Sequence, residues 1–141
     1  MRVSENNKQD QYLSLTPLHT IASDSKIIIE VSTGVGAPED EWRIRMALKE
    51  AQRLKVSGRD VRLIFDGAGT RWLPELVRPD HELYEKFATL RESAPAACKY
   101  CASNFGVEKA VRNAGILLLD DYHSNSKLND LISQKYQILT F

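Results

Sequence analysis

The chain has 141 residues, which is the size of one ordinary domain and too short for two domains with separate hydrophobic cores. Lys and Arg together number 19, as do Asp and Glu, and this balanced charge predicts neither a nucleic-acid partner nor binding to an anionic membrane. The amino-terminal residues contain no apolar stretch typical of a signal peptide, and no segment reaches the apolar length of a membrane span, so we expect a cytoplasmic protein with no membrane partner.

The first residues of the chain differ in character from the rest. Residues 1–24 are mostly polar, and Pro17 interrupts their few apolar side chains. They show no continuous helical or strand period. We therefore predict an N-terminal extension over residues 1–24 and a folded domain over residues 25–141.

The predicted domain alternates between short apolar runs and segments with helical spacing. Five runs predict strands, and they are KIIIEVS from Lys26, DVRLIF from Asp60, AACKY from Ala96, ILLL from Ile116 and YQILTF from Tyr136. Between them, helices are predicted from Pro38 to a stop at Gly58, around residues 83–90, through Phe105 to Val111, and around residues 128–132. This alternation is typical of an α/β protein, a three-layer α/β/α fold with a five-stranded, mostly parallel sheet.

Reactive groups of parallel sheets gather beyond the carboxyl ends of the strands. The predicted strands place four segments there, residues 33–37, 66–72, 98–101 and 120–125. Both cysteines of the chain, Cys98 and Cys101, lie in the third of these segments. The cysteine pair is therefore predicted to lie where an α/β domain usually keeps its functional site.

The motif Cys98-Lys-Tyr-Cys101 spans the end of a predicted strand and the start of a helix. A disulfide between cysteines this close could not stabilise a secreted fold by linking distant segments. The pair instead indicates a metal-binding or redox element in a reducing compartment. Amides at a helix N-terminus and the charge of Lys99 favour a thiolate, so we expect a lowered thiol pKa and a nucleophilic sulfur. The alternative is a pair of ordinary cysteines, packed in the core as small hydrophobic residues.

Other residues near the strand ends give less specific signals. His123, in Asp120-Asp-Tyr-His, is predicted to approach the cysteines as an acid, a base or a ligand, although a lone loop histidine is often only solvated. Asp66 could orient a partner group, but such a residue more often caps the following turn. Gly34-Val-Gly36 lacks the third glycine of a dinucleotide-binding fingerprint, so we predict no cofactor.

The two tryptophans, Trp42 and Trp72, are both expected in the core. Trp42 falls in the first turn of the first predicted helix, where it would pack against the sheet. Trp72 lies in a predicted loop beside the candidate site, where the alternative is a position lining the site or an interface.

Four features carry a resemblance that extends from Lys26 to Phe141. They are a first strand followed by a helix with Ala47 and Ala51, a strand ending in Asp66-Gly67 with Gly69 beyond it, the segment Cys98-Lys-Tyr-Cys101-Ala-Ser-Asn-Phe-Gly106-Val, and the terminal Tyr136-Gln-Ile-Leu-Thr-Phe141. In these features the chain resembles the DsrE/DsrF-like family.

The resemblance implies a function in sulfur transfer. In the sulfur-relay members of that family, a cysteine at a strand end, eight residues before a glycine, carries a persulfide. Cys98 stands eight residues before Gly106, so the resemblance implies the persulfide on Cys98 and matches Cys101 to a second cysteine of some members. It also implies sulfur donor and acceptor proteins as partners, and a homo-oligomer, typically a trimer or hexamer.

The candidate catalytic residues are therefore Cys98, Cys101 and His123, and four functions stay open. The first is a sulfur carrier, and the second is a dithiol redox protein that cycles the two cysteines. The third is a metal site, but two cysteines and one histidine are one ligand short of a closed zinc site unless a subunit contributes, so we predict no metal. The fourth is a non-catalytic oligomeric binding protein of the same fold.

Overall fold

The computed structural model of the protein describes residues 25–123 and 125–141, and the predicted extension over residues 1–24 lies outside the described residues. The strands are β1 (Lys26–Val31), β2 (Asp60–Phe65), β3 (Ala96–Cys98), β4 (Leu117–Leu119) and β5 (Tyr136–Thr140). The helices are α1 (Pro38–Val56), α2 (Trp72–Leu76), α3 (Tyr84–Ala88), α4 (Lys99–Asn104), α5 (Glu108–Asn113) and α6 (Asn125–Ser133), with 3₁₀ turns at Gly67–Arg71 and Arg91–Ser93. Among the described residues, no helix is both long and apolar enough to cross a membrane.

The five strands form one sheet in the order β4-β3-β2-β1-β5. All four pairings are parallel, so the predicted three-layer α/β/α fold is confirmed and the sheet is parallel throughout. The chain steps in one direction from β1 to β4 and then returns across the sheet to β5. A connection between two parallel strands is almost always right-handed, so the direction of each step across the sheet decides which face its helix covers. The step from β4 to β5 runs opposite to the earlier steps, and α6 therefore lies on the other face of the sheet.

Each face of the sheet has its own apolar core, because successive side chains of a strand point to opposite faces. Ile27, Ile29 and Val31 of β1 pack with the buried face of α1 in the larger core. Ile28 of β1 packs on the other face with Ile64, and the half-buried Leu131 of α6 covers this smaller core. Cys98, Cys101 and Tyr122 belong to the smaller core, so the candidate site is continuous with apolar packing.

The spacing of buried residues in helix α1 explains why Trp42 is not in the core. Its buried residues recur at helical spacing and are Ile44, Ala47, Leu48, Ala51 and Leu54. Trp42 precedes Ile44 by two positions, which is about half a turn of the helix, so its side chain lies on the solvent face and is 64% exposed. The prediction that Trp42 packs against the sheet was wrong.

Three boundaries also differ from the predicted elements. Trp72 begins helix α2 instead of lying in a loop, and its side chain is buried in the core, as the core interpretation expected. The helix predicted through Phe105 is divided into α4 and α5 at Gly106, whose φ of 72° belongs to the left-handed region and ends the first segment. Strand β3 ends at Cys98, so Lys99 and Tyr100 are helical.

Candidate functional site

Three neighbouring strands deliver the side chains of the candidate site. Asp66 follows the last residue of β2, Cys98 is the last residue of β3, and His123 follows β4 by four residues. Because β2, β3 and β4 are adjacent and parallel, these positions meet at the same edge of the sheet. Together with Cys101, their sulfur, nitrogen and carboxylate atoms all lie within 4.8 Å of one another. We call Asp66, Cys98, Cys101 and His123 the strand-end cluster.

Cys98 joins strand β3 to helix α4 as the residue that caps the helix. Its Sγ atom accepts a hydrogen bond from the backbone amide of Cys101 at 3.3 Å. This is the usual use of a helix N-cap, in which a side-chain atom accepts from a backbone amide that has no partner within the helix. An amide directed at sulfur favours a negative charge there, although the residue itself is only 1% exposed.

Cys101 has a different environment from Cys98. Its Sγ atom lies 3.3 Å from Oδ1 of Asp66 and 3.5 Å from Nε2 of His123. Burial, together with hydrogen bonding to Cys98 and the nearby carboxylate of Asp66, raises the pKa of Cys101 to about 12. The residue is therefore a thiol at neutral pH, and its S–H donates to Asp66.

Asp66 is the member of the cluster that sequence reasoning left out. It was interpreted mainly as a turn cap, whereas its Oδ1 atom lies 2.6 Å from Nε2 of His123 and also accepts from Cys101. Its backbone amide donates to the carbonyl of Val31 at 2.8 Å, which fixes the residue at the end of β1 as well as β2. Its position directly after a strand was the only signal in the sequence.

A hydrogen bond between buried Tyr122 and half-buried Glu30 supports the turn that carries His123. The hydroxyl of Tyr122 donates to Oε2 of Glu30 in β1, and Thr140 Oγ1 donates to the other carboxylate oxygen at 3.3 Å. Burial and the Glu30 carboxylate raise the pKa of Tyr122, so the hydroxyl keeps its proton. The ring of Tyr122 meets that of His123 edge to face, with centroids 5.3 Å apart, and so limits where the imidazole can lie.

Lys99 was expected to place a positive charge near the cysteines. In the structure its Nζ atom forms an ion pair with Oδ1 of Asp120 at 3.1 Å. A carboxylate therefore shares the charge of Lys99, and the backbone amide of Cys101 is the polar group that contacts the Cys98 sulfur.

Fold and site together define an α/β/α protein with a cysteine pair at the carboxyl edge of a parallel sheet. No family model matches the chain. The chain is 26% identical over 89 residues to the uncharacterized protein MJ0733 of Methanocaldococcus jannaschii, which covers 63% of this chain and 72% of that protein. It also resembles the structure of BT1422, a conserved protein of unknown function from Bacteroides thetaiotaomicron, with a TM-score of 0.60 and 19% identity, covering 82% of this chain and 95% of that chain. A likeness at that identity shows a shared fold and does not assign an activity.

Proposed function

We propose that the protein is a DsrE/DsrF-like sulfur carrier that holds sulfane sulfur as a persulfide on Cys98. A single contact carries this proposal, the hydrogen bond of 3.3 Å from the Cys101 amide to the Cys98 sulfur. A thiolate is the nucleophile of sulfur transfer, and this amide favours the negative charge on that sulfur. Cys101, whose thiol is held by Asp66, is the second cysteine.

Loading of Cys98 is a thiol exchange without net oxidation. The thiolate of Cys98 attacks the terminal sulfur of a donor persulfide, the sulfur–sulfur bond of the donor breaks, and the donor departs as a thiolate. The proton of the donor persulfide stays with the transferred sulfur. Cys98 is almost fully buried, so the donor reaches it from the side of His123, whose side chain is 54% exposed.

Release uses Cys101 and its polar neighbours. The sulfur of Cys101 attacks the inner sulfur of the Cys98 persulfide, a disulfide forms between the two cysteines, and hydrogen sulfide leaves. Asp66 and His123 both lie within hydrogen-bonding distance of the Cys101 sulfur, so they can take the thiol proton during this attack. An acceptor thiol of a partner protein can attack the terminal sulfur instead, which returns Cys98 to its thiolate.

The same contacts favour a second candidate function, a dithiol redox protein. Asp66 and His123 contact the sulfur of Cys101, so either side chain can take its proton when the two cysteines form a disulfide. In that case the pair transfers two electrons to a disulfide substrate and carries no sulfane sulfur.

The surface beside the cysteines supports partner binding and self-association. Tyr100, on the helix that carries Cys101, is 71% exposed, and Phe105, which follows that helix, is also exposed. Aromatic side chains are enriched in protein interfaces. Sulfur donor and acceptor proteins, or a second copy of the chain in a trimer or hexamer, would cover them. Trp72 has no part in this surface because it is buried.

Mass spectrometry distinguishes the two functions. Reduced protein, treated with a chelator to remove metal, is incubated with polysulfide, and trypsin cleavage after Lys99 separates the two cysteines. A sulfur carrier gains one sulfur atom on the Cys98 peptide, Cys101→Ser gains it equally, and Cys98→Ser does not. Gain of sulfur by Cys98→Ser, or its absence from Cys101→Ser, contradicts the proposal. Loss of two hydrogens by wild type, together with no gain of sulfur on Cys98 in Cys101→Ser, identifies the dithiol protein.

A further inference from the structure

We propose that the strand-end cluster binds one zinc ion, with Asp66, Cys98, Cys101 and His123 as its four ligands. The inference concerns a second activity of these side chains and does not rest on sulfur transfer. Sequence reasoning counted only three ligands from this chain and therefore predicted no metal. Asp66 supplies the fourth from the same chain, so a closed site needs no contribution from another subunit.

The separations of the ligand atoms are close to those of a tetrahedral zinc site. Zinc bonds of about 2.3 Å to sulfur and about 2.0 Å to nitrogen or oxygen place ligand atoms roughly 3.3 to 3.8 Å apart. The Cys101 sulfur lies 3.3 Å from Asp66 and 3.5 Å from His123, and no pair within the cluster is more than 4.8 Å apart. The contact between His123 and Asp66, at 2.6 Å, has to open by only roughly 0.7 Å to admit the ion.

The donor set selects the class of metal. Two thiolates and one imidazole are soft or intermediate ligands, which favour zinc over magnesium or calcium, and one carboxylate oxygen is common in zinc sites. Two cysteines separated by two residues often supply two of the four ligands in such sites. The two cysteines are buried, Asp66 is half-buried and His123 is exposed, so an ion bound by all four would lie at the border between the core and the surface.

The surroundings hold the ligands in place. The Cys101 amide donates to the Cys98 sulfur and would continue to do so when that sulfur is bound to the ion. Asp66 is fixed through its backbone amide to Val31, and the ring of Tyr122 limits the rotation of His123. His123 is the most exposed ligand, so the ion enters from its side.

Zinc and cobalt(II) titrations of the reduced, sulfur-free full chain test the inference. We expect one equivalent of cobalt(II) to produce the intense visible bands of tetrahedral coordination and a thiolate charge-transfer band, and one equivalent of zinc to remove both. Asp66→Asn, Cys98→Ser, Cys101→Ser and His123→Gln should each weaken zinc binding at least about tenfold, since loss of even an outer-shell partner has that effect. Asp120→Asn, which removes an exposed carboxylate beside the site, serves as the matched control and should bind as wild type does.

Two results overturn the inference. The first is a wild-type chain that binds no stoichiometric zinc. The second is binding that is unchanged in both Asp66→Asn and His123→Gln, which would leave only a two-thiolate contact. His123 is half exposed, so His123→Gln keeps the fold and decides the outcome even where a cysteine variant does not. Sulfur loading is assayed separately on chelator-treated protein, so that either proposal can fail without the other.

Discussion

Oδ1 of Asp66 lies 2.6 Å from Nε2 of His123, although 57 residues separate them in the chain. The contact links the end of β2 to the turn after β4, on either side of the strand that ends in Cys98. It also brings two groups that can exchange protons to the sulfur of Cys101. Under the proposed function, the pair would act on the proton of Cys101 during sulfur release.

The first prediction concerns the roles of Asp66 and His123 in sulfur release. Asp66→Asn and His123→Gln should leave sulfur loading of Cys98 unchanged but slow the release of hydrogen sulfide from loaded, metal-free protein. Loss of a general base costs about 100-fold or more, so a decrease of that order is expected. Single-turnover measurement of sulfide release gives the rate, with Asp120→Asn as the control. Equal release rates in all three variants would remove Asp66 and His123 from the mechanism.

The second prediction concerns the close approach of Gly69 to strand β1. A side-chain Cβ at Gly69 would overlap the carbonyl oxygen of Val31 and lie 2.6 Å from its carbonyl carbon. Gly69→Ala should therefore lower the free energy of unfolding by more than about 2 kcal/mol, because backbone atoms must shift to admit the methyl group.

Urea unfolding measures the effect, and Gly34→Ala is the matched control. A Cβ at Gly34 would lie 3.6 Å from the side chain of Ala68, which is an ordinary contact distance. Equal stability of the two variants would show that the turn after β2 can move away from β1 without cost.

The third prediction concerns the hydrogen bond between Tyr122 and Glu30. Tyr122→Phe keeps the buried ring but removes the hydroxyl that donates to the Glu30 carboxylate. The free energy of unfolding should fall by roughly 1 to 3 kcal/mol, as for a hydrogen bond to a charged group. Tyr100→Phe, at an exposed tyrosine, should change it by less than about 0.5 kcal/mol. A Tyr122→Phe protein as stable as wild type in urea would show that the contact contributes nothing to folding.

The fourth prediction concerns the start of α1 and its dependence on pH. Thr33 Oγ1 donates to Asp40 at 2.6 Å, and the Ala37 amide donates to its other carboxylate oxygen at 3.2 Å. These hydrogen bonds, with the charge of Arg43, lower the pKa of Asp40 below 3.8. A depressed folded-state pKa contributes stability above the unfolded pKa, and this contribution is lost as the pH falls through the folded value.

Asp40→Asn should therefore be less stable than wild type at neutral pH. The difference should shrink as the pH falls below 3.8, where the wild-type carboxylate becomes protonated. Urea unfolding of both proteins as a function of pH measures it, with Glu39→Gln as a control on the same helical turn. A difference that is constant from neutral to acidic pH would show that the charge of Asp40 is not involved.

The sequence by itself determined the local features of this protein. Repeating apolar residues define the strands and helices because their spacing sets which side chains share a face. The cysteines are only three residues apart, so their joint position at a strand end and helix start follows from that local pattern. Trp42 shows where local patterns are insufficient. A residue in the first turn of a helix can face the core or the solvent, and only the packing of the helix on the sheet determines which.

The tertiary structure alone decided how distant residues meet. Asp66 precedes Cys101 by 35 residues and His123 follows it by 22, and no spacing in the sequence specifies that they share one sulfur atom. They meet because β2, β3 and β4 are neighbours in the sheet, an order that results from the packing of entire helices against strands. The pairing of Tyr122 with Glu30 likewise required β1 to lie near the turn after β4. Periodicity specifies which face of an element is buried, whereas the choice of neighbouring element depends on long-range packing that no local pattern contains.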